Sequence, residues 1–164
     1  MLAALAALAL AFASSAAASD APKEDHARLR YDPRFILERV AAHLHVTLRP
    51  DAPLPAILFE SATPLGLFQD AMEKQWRFRP RVFVNAYTIA GNLIFLVDDA
   101  AHYGRHGRTL DDALAHELVH YLQVVYFKVD LGSRLIAEVC ESEAVAVQEW
   151  FRARYVQIHD ADPM

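Results

Sequence analysis

The segment Ala115-His116-Glu117-Leu118-Val119-His120-Tyr121 sets two histidines four residues apart, with a glutamate directly after the first. On a helix, side chains four residues apart stand one turn apart on the same face. His116 and His120 can therefore aim two imidazole nitrogens at one ion. Glu117 lies beside them, where its carboxylate can reach water on that ion without being a ligand. Two neutral nitrogen donors and a carboxylate base are the parts of a zinc site that activates water for hydrolysis. Such a site takes a third protein ligand and leaves its fourth position to water. The bland alternative is a core helix carrying two satisfied histidines.

The surrounding residues predict the helix that the motif needs. Thr109 is placed as its N-cap, with Asp111 and Asp112 in the first turn. Leu110, Ala113, Leu114, Leu118, Tyr121 and Leu122 give it an apolar cover, and it should run to about residue 128. Asp130-Leu131-Gly132-Ser133 reads as a turn in which Gly132 ends one helix and Ser133 caps the next. A second helical pattern covers residues 134–155, with Leu135, Ile136, Val139, Cys140, Val147, Trp150 and Phe151 as its apolar positions. Helices joined by so short a turn run antiparallel as neighbours.

That arrangement locates the third ligand. The first helix travels roughly nine residues from His120 to the turn, so the return helix is level with His120 near residues 141–143. Glu138, Glu141 and Glu143 cluster there. Glu141 shares its face with the small residues Ala137 and Ala144, which allow close approach, and Gln148 continues that stripe. Glu143 shares its face with Val139, Val147 and Trp150. The expectation is Glu141 as third ligand, with Glu143 as the alternative; Glu138 comes a turn early. An acidic solvated face is the competing reading of the cluster.

His116-Glu117-Leu118-Val119-His120 followed by Glu141-Ser142-Glu143-Ala144 resembles the gluzincin clan of zinc metallopeptidases, in compact bacterial form. Members carry H-E-x-x-H on one helix and E-x-x-A on the following one. The tail Tyr121-Leu122-Gln123 is similar to that of small secreted zincin-like families. The resemblance covers roughly residues 93–150 and implies His116, His120 and Glu141 as ligands with Glu117 as base. Glu143-Ala144-Val145-Ala146 fits the second motif as well. Many gluzincins place an Asp four residues after the glutamate ligand; Val145 stands there in this chain, so carboxylate support for a zinc-bound imidazole is missing or comes from elsewhere.

The chain opens with an uncharged Leu/Ala-rich stretch over residues 1–18, ending in Ala16-Ala17-Ala18, which reads as a secretory leader cut near Ala18 or Ser19. Removing it from 164 residues leaves roughly 145, enough for one domain with one core. We expect an exported protein, periplasmic or secreted, with no stable membrane span after cleavage. Its net charge of −5 and lack of a basic stripe argue against nucleic acid as a partner. The one cysteine, Cys140, cannot form an internal disulfide, so the core, a metal, or both must hold the fold.

Residues 19–31 read as a flexible lead-in and residues 32–158 as a single domain. Asp32-Pro33 predicts a helix start, with Phe35, Ile36, Val40 and Leu44 as its stripe and His43 and His45 at the surface. Residues 53–60 end in a strand. Pro64 opens a helix to about Gln75 with Leu65, Phe68, Ala71 and Met72 inward. Residues 82–89 and 93–97 predict a hairpin turned by Gly91-Asn92. Residues 93–97 are the candidate sheet edge that would pair with an extended peptide beside the site, with an ordinary core hairpin the equal alternative. Residues 98–108 read as a polar loop that could overhang it.

The fold class expected is α+β: helices on a small, mostly antiparallel sheet, with two adjacent antiparallel helices carrying the metal site, which the resemblance makes a compact zincin-like domain. The function expected is zinc-dependent hydrolysis of peptide bonds in a peptide or protein substrate. The alternative is a catalytically weak zinc-binding envelope protein acting as an interaction module. For the oxyanion donor the sequence offers His102, Tyr103, His106, Arg134 and Tyr155. Oligomeric state is not legible.

Overall fold

In a computed structural model of the chain, which describes residues 25–130 and 134–157, the first helix begins where the Asp-Pro pair places it. The Asp32 side chain accepts the backbone N–H of Arg34, Pro33 occupies the first turn, and α1 runs Pro33–His43. It buries Ile36, Leu37, Val40 and Ala41. Strand β1 is Ala56–Phe59, followed by a short 3-10 turn and then α2, Leu65–Trp76. The helix stops at Arg77, whose left-handed backbone returns its N–H to the Glu73 carbonyl. Phe68 and Met72 point inward as expected, whereas Leu65 is exposed.

Strands β2, Ala86–Thr88, and β3, Leu93–Leu96, form the predicted hairpin. The Asn92 N–H closes the turn on the Ile89 carbonyl at 3.1 Å. Gly91 and Asn92 carry its positive φ values, 84° and 51°, the conformation these two residue types tolerate best. The stretch expected as a polar loop contains a helix instead. Asp99 caps α3, Ala100–Gly104, by accepting the Ala101 N–H, and Tyr103 is buried beneath it.

The sheet corrects two expectations. Its order is β1-β3-β2, with β1 parallel to β3 and β2 antiparallel to it, so it is mixed rather than mostly antiparallel. The chain leaves β1 and crosses over through α2 before returning, which allows β1 and β3 to run the same way. The second correction is that residues 93–97 are not an edge. β3 is the central strand, and Ile94, Phe95 and Leu96 are all fully buried. Ile94 and Leu96 face the main core with Tyr87, α1 and the metal-motif helix. Phe95 and Val97 face a smaller cluster with Phe68, Met72 and Phe83.

The motif helix, α4, spans Leu110–Val125, and Thr109 caps it by accepting the Asp112 N–H. It ends short of residue 128, with Lys128 in the left-handed region. The returning helix, α5, spans Arg134–Phe151 and continues into a π turn over Arg152–Val156. Of the turn expected between them, Asp130-Leu131-Gly132-Ser133, all but Asp130 lies outside the described residues, as does the leader stretch over residues 1–18. Gln123 meets Cys140 and Glu143, His120 meets Glu141, and Asp112 meets Gln148 and Arg152. Partner numbers rise on one helix as they fall on the other, so α4 and α5 are antiparallel. Among the described side chains of α5 the buried positions are Cys140, Ala144, Val147, Gln148 and Phe151, whereas Ile136 and Val139 are exposed; the Leu135 side chain lies outside the described residues.

The expected lead-in is tied down from residue 25 onward. His26 bridges to Asp99, the Ala27 N–H donates to the Asp98 carbonyl, and the N–H groups of Arg30 and Tyr31 donate to the Asp111 carboxylate. Among the described residues no helix is long and apolar enough to cross a membrane.

Candidate metal centre

Sixteen residues of α4 carry His116 and His120 on one side of the helix, one turn apart. Their Nε2 atoms are 3.2 Å apart. The Glu141 carboxylate reaches across from α5, with Oε1 3.4 Å from His116 Nε2 and Oε2 3.3 Å from His120 Nε2. Both imidazoles are largely shielded, and the Glu141 side chain is 58 % exposed. The three residues form a group that could hold a metal ion. Hydrogen bonding to the two histidines holds the Glu141 carboxyl well below the usual carboxylate range.

Glu117 lines the same cleft and is 4 % exposed. Burial pushes its carboxyl up, against the opposing pull of His116, His120 and the nearby Tyr87 backbone N–H. Glu117 thus faces the free edge of β2. The other outward groups of that edge go to α2: the Gln75 amide donates to the Tyr87 carbonyl at 3.2 Å and accepts the Ile89 N–H at 2.8 Å. The strand flanking the site is therefore β2, not β3, and its backbone is already engaged from Tyr87 to Ile89.

The cleft has a volume of about 330 Å³ and is walled by Trp76, Val84, Asn85, Ala86, Tyr87 and Ala137 around the three donors and Glu117. Asn85 accepts the Val97 N–H through Oδ1 at 2.8 Å, which leaves its NH₂ end as a donor. His102, Tyr103, His106 and Tyr155 do not line this cleft among the described residues. Tyr103 is buried with its hydroxyl donated to the Val97 carbonyl, and the Tyr155 ring packs against Tyr31, Phe35 and Trp150. The Arg134 side chain lies outside the described residues.

Glu143, the alternative ligand, points elsewhere: its Oε2 accepts from Gln123 Nε2 at 2.8 Å. Gln123 in turn places Oε1 2.9 Å from His120 Nδ1. The role of Gln123 is absent from the sequence reading, although a glutamine one turn beyond His120 on a buried helical face was a visible signal. Asn85, Tyr87 and Trp76 carried no such signal. Glu138 is exposed on α5, and His43 and His45 are exposed as expected, with the His43 ring stacked on Trp150. Cys140 is buried, and burial pushes its thiol up. Comparison of the chain with protein-family models, with curated proteins and with solved structures gives no match.

Proposed function

We propose that this protein is a zinc-dependent hydrolase of the metallopeptidase type, acting on peptide bonds of a peptide or protein substrate. The observation that carries this reading is the convergence of the three residues: the two Nε2 atoms lie 3.2 Å apart, one Glu141 oxygen lies 3.4 Å from His116 Nε2 and the other 3.3 Å from His120 Nε2. Ligand bonds of about 2.0–2.1 Å in a tetrahedral zinc site put ligand atoms about 3.3–3.4 Å apart. His116, His120 and Glu141 would hold the ion, two neutral nitrogens and one carboxylate leaving one position open. A bound zinc supplies Lewis acidity, lowering the pKa of water and polarising a carbonyl.

The chain's own residues supply the proton handling. Glu117 sits next to both histidines in a buried setting that favours proton uptake, so it takes the proton from the attacking water and returns it to the leaving amine nitrogen. Asn85 lines the cleft, and its NH₂ is a neutral donor that would serve a developing oxyanion. Trp76, Val84 and Tyr87 exclude water and position the flanking substrate side chains. The H-E-x-x-H and E-x-x-A pattern favours the same chemistry by its likeness to gluzincins, and the leader reading of residues 1–18 favours action in the periplasm or outside the cell.

The test is zinc content and hydrolysis of an unfolded protein or peptide library by the purified chain, with a chelator control. Glu117→Gln should keep zinc and lower turnover by about 10²–10⁴-fold. Retained turnover, or loss of zinc in that variant, overturns the assignment of the base. A zinc-loaded protein that cleaves nothing leaves the interaction-module alternative.

A further inference from the structure

Gln123 is 1 % exposed, and the orientation of its amide is dictated by its surroundings. Nε2 lies 3.0 Å from the Cys140 carbonyl oxygen and 2.8 Å from Glu143 Oε2. A backbone carbonyl and a carboxylate only accept, so the NH₂ end must face them and Oε1 must face His120. His120 Nδ1, at 2.9 Å, then carries the hydrogen and donates it. A neutral imidazole with its proton on Nδ1 has its lone pair on Nε2. Nε2 is the atom turned toward His116 Nε2 and Glu141 Oε2.

We propose that Gln123 is a positioning residue of the metal centre: it fixes His120 as the Nδ1–H tautomer with Nε2 free to ligate, and Glu143 on α5 locks Gln123 in that pose. The proposal rests on the metal-site reading above. Metal-bound histidines generally donate their other ring N–H to a carboxylate, carbonyl or water, which orients the ring and tunes its basicity. Here an amide oxygen takes that place, and the carboxylate stands one residue further back. This gives His120 its support although Val145 occupies the position of the usual aspartate, whereas the buried His116 Nδ1 has no hydrogen-bond partner among the described residues. It also gives Glu143 a part in the centre without contact with the ion. Because the relay spans both helices, the pose of His120 depends on the packing of α5 against α4.

The experiment measures Zn²⁺ affinity by chelator competition and the visible d–d spectrum of the Co²⁺-loaded full chain. Gln123→Leu should bind Zn²⁺ about 10–100-fold more weakly and alter the Co²⁺ spectrum. Glu143→Ala, at an exposed position, should weaken binding less. The decisive variant combines Gln123→Glu with Glu143→Gln. It restores an acceptor for His120 Nδ1–H and a donor from α5, but not the hydrogen bond to the Cys140 carbonyl. Positioning predicts recovery of affinity and spectrum toward wild type. A purely structural role predicts a double variant no better than Gln123→Leu, and that result overturns the proposal. So do unchanged affinity and spectrum in folded Gln123→Leu or, should that variant not fold, in Glu143→Ala. If the wild-type chain binds neither ion, the metal-site reading fails and takes this proposal with it; in every other outcome the two are judged separately.

Discussion

The buried carboxylate of Asp111 accepts the backbone N–H of Tyr31 at 3.0 Å, eighty residues earlier in the chain. It also accepts the N–H of Arg30 at 2.9 Å. One side chain in the first turn of α4 thus fastens the segment that precedes α1. Asp111→Ala should leave both donors without that partner and cost about 1–3 kcal/mol, the net scale of hydrogen bonds to a charged acceptor. Urea unfolding reads this directly, and a cost below about 0.5 kcal/mol would contradict the fastening role.

Asp111 also makes a pH prediction. Burial raises its carboxyl, outweighing the hydrogen bonds that lower it. The folded state therefore holds this proton more tightly than the unfolded state. Its contribution to stability is greatest below the ordinary aspartate range and falls as pH rises through the raised folded value. Asp111→Asn lacks that slope. With chelator present, the stability of wild type minus that of Asp111→Asn should decline as pH rises from about 3.5 to 6. A difference that grows over the same range would show that the hydrogen bonds, not burial, dominate.

The two candidate acids on α5 are separable. Glu141→Gln should weaken zinc binding strongly, because it removes the charged donor that faces both Nε2 atoms. Glu143→Gln should retain one zinc per chain. Elemental analysis after gel filtration decides, and loss of zinc in the Glu143 variant alone would reverse the ligand assignment.

Asn85→Ala should lower kcat by about 10²-fold with zinc content unchanged, the usual scale for removing one oxyanion donor. The side chain also accepts the Val97 N–H, so Asn85→Asp, which keeps the acceptor and loses the donor, is the cleaner variant. If hydrolysis by Asn85→Asp equals wild type, the donor lies elsewhere.

Gln75→Ala should expose the Tyr87 carbonyl and the Ile89 N–H at the outer side of β2. The expected loss is about 1 kcal/mol, with faster amide hydrogen exchange at Ile89. Unchanged exchange at that amide would mean that Gln75 does not guard the edge.

The local signals in the sequence were strong because they are written in neighbouring residues. Asp32 and Thr109 cap the helices they precede, and the i, i+4 spacing of His116 and His120 needs only a helix to bring them together. Helix rise and the antiparallel return narrow the third donor to residues 141–143, and the small Ala137 and Ala144 on its face favour Glu141 over Glu143. Sheet order was misread because pairing depends on residues far apart. Yet Leu93-Ile94-Phe95-Leu96-Val97 is a continuous apolar run, the signature of a strand buried on both faces rather than an edge. Ile136 and Val139 looked like core from periodicity alone. The antiparallel register sets Ile136 level with Phe127, beyond the last turn of α4, where no helix remains to cover it. Asn85 was invisible because its position beside the histidines arises only once β2 lies along α4.

The engagement of Tyr87 and Ile89 by Gln75 has a bearing on solubility. An unguarded strand of this kind is a template onto which a second molecule can add its own backbone, the first step toward fibrils. Here Gln75 is the stopper on that template. Substituting it therefore removes a guard against self-association, and its variants should be checked for assembly state before their kinetics are interpreted.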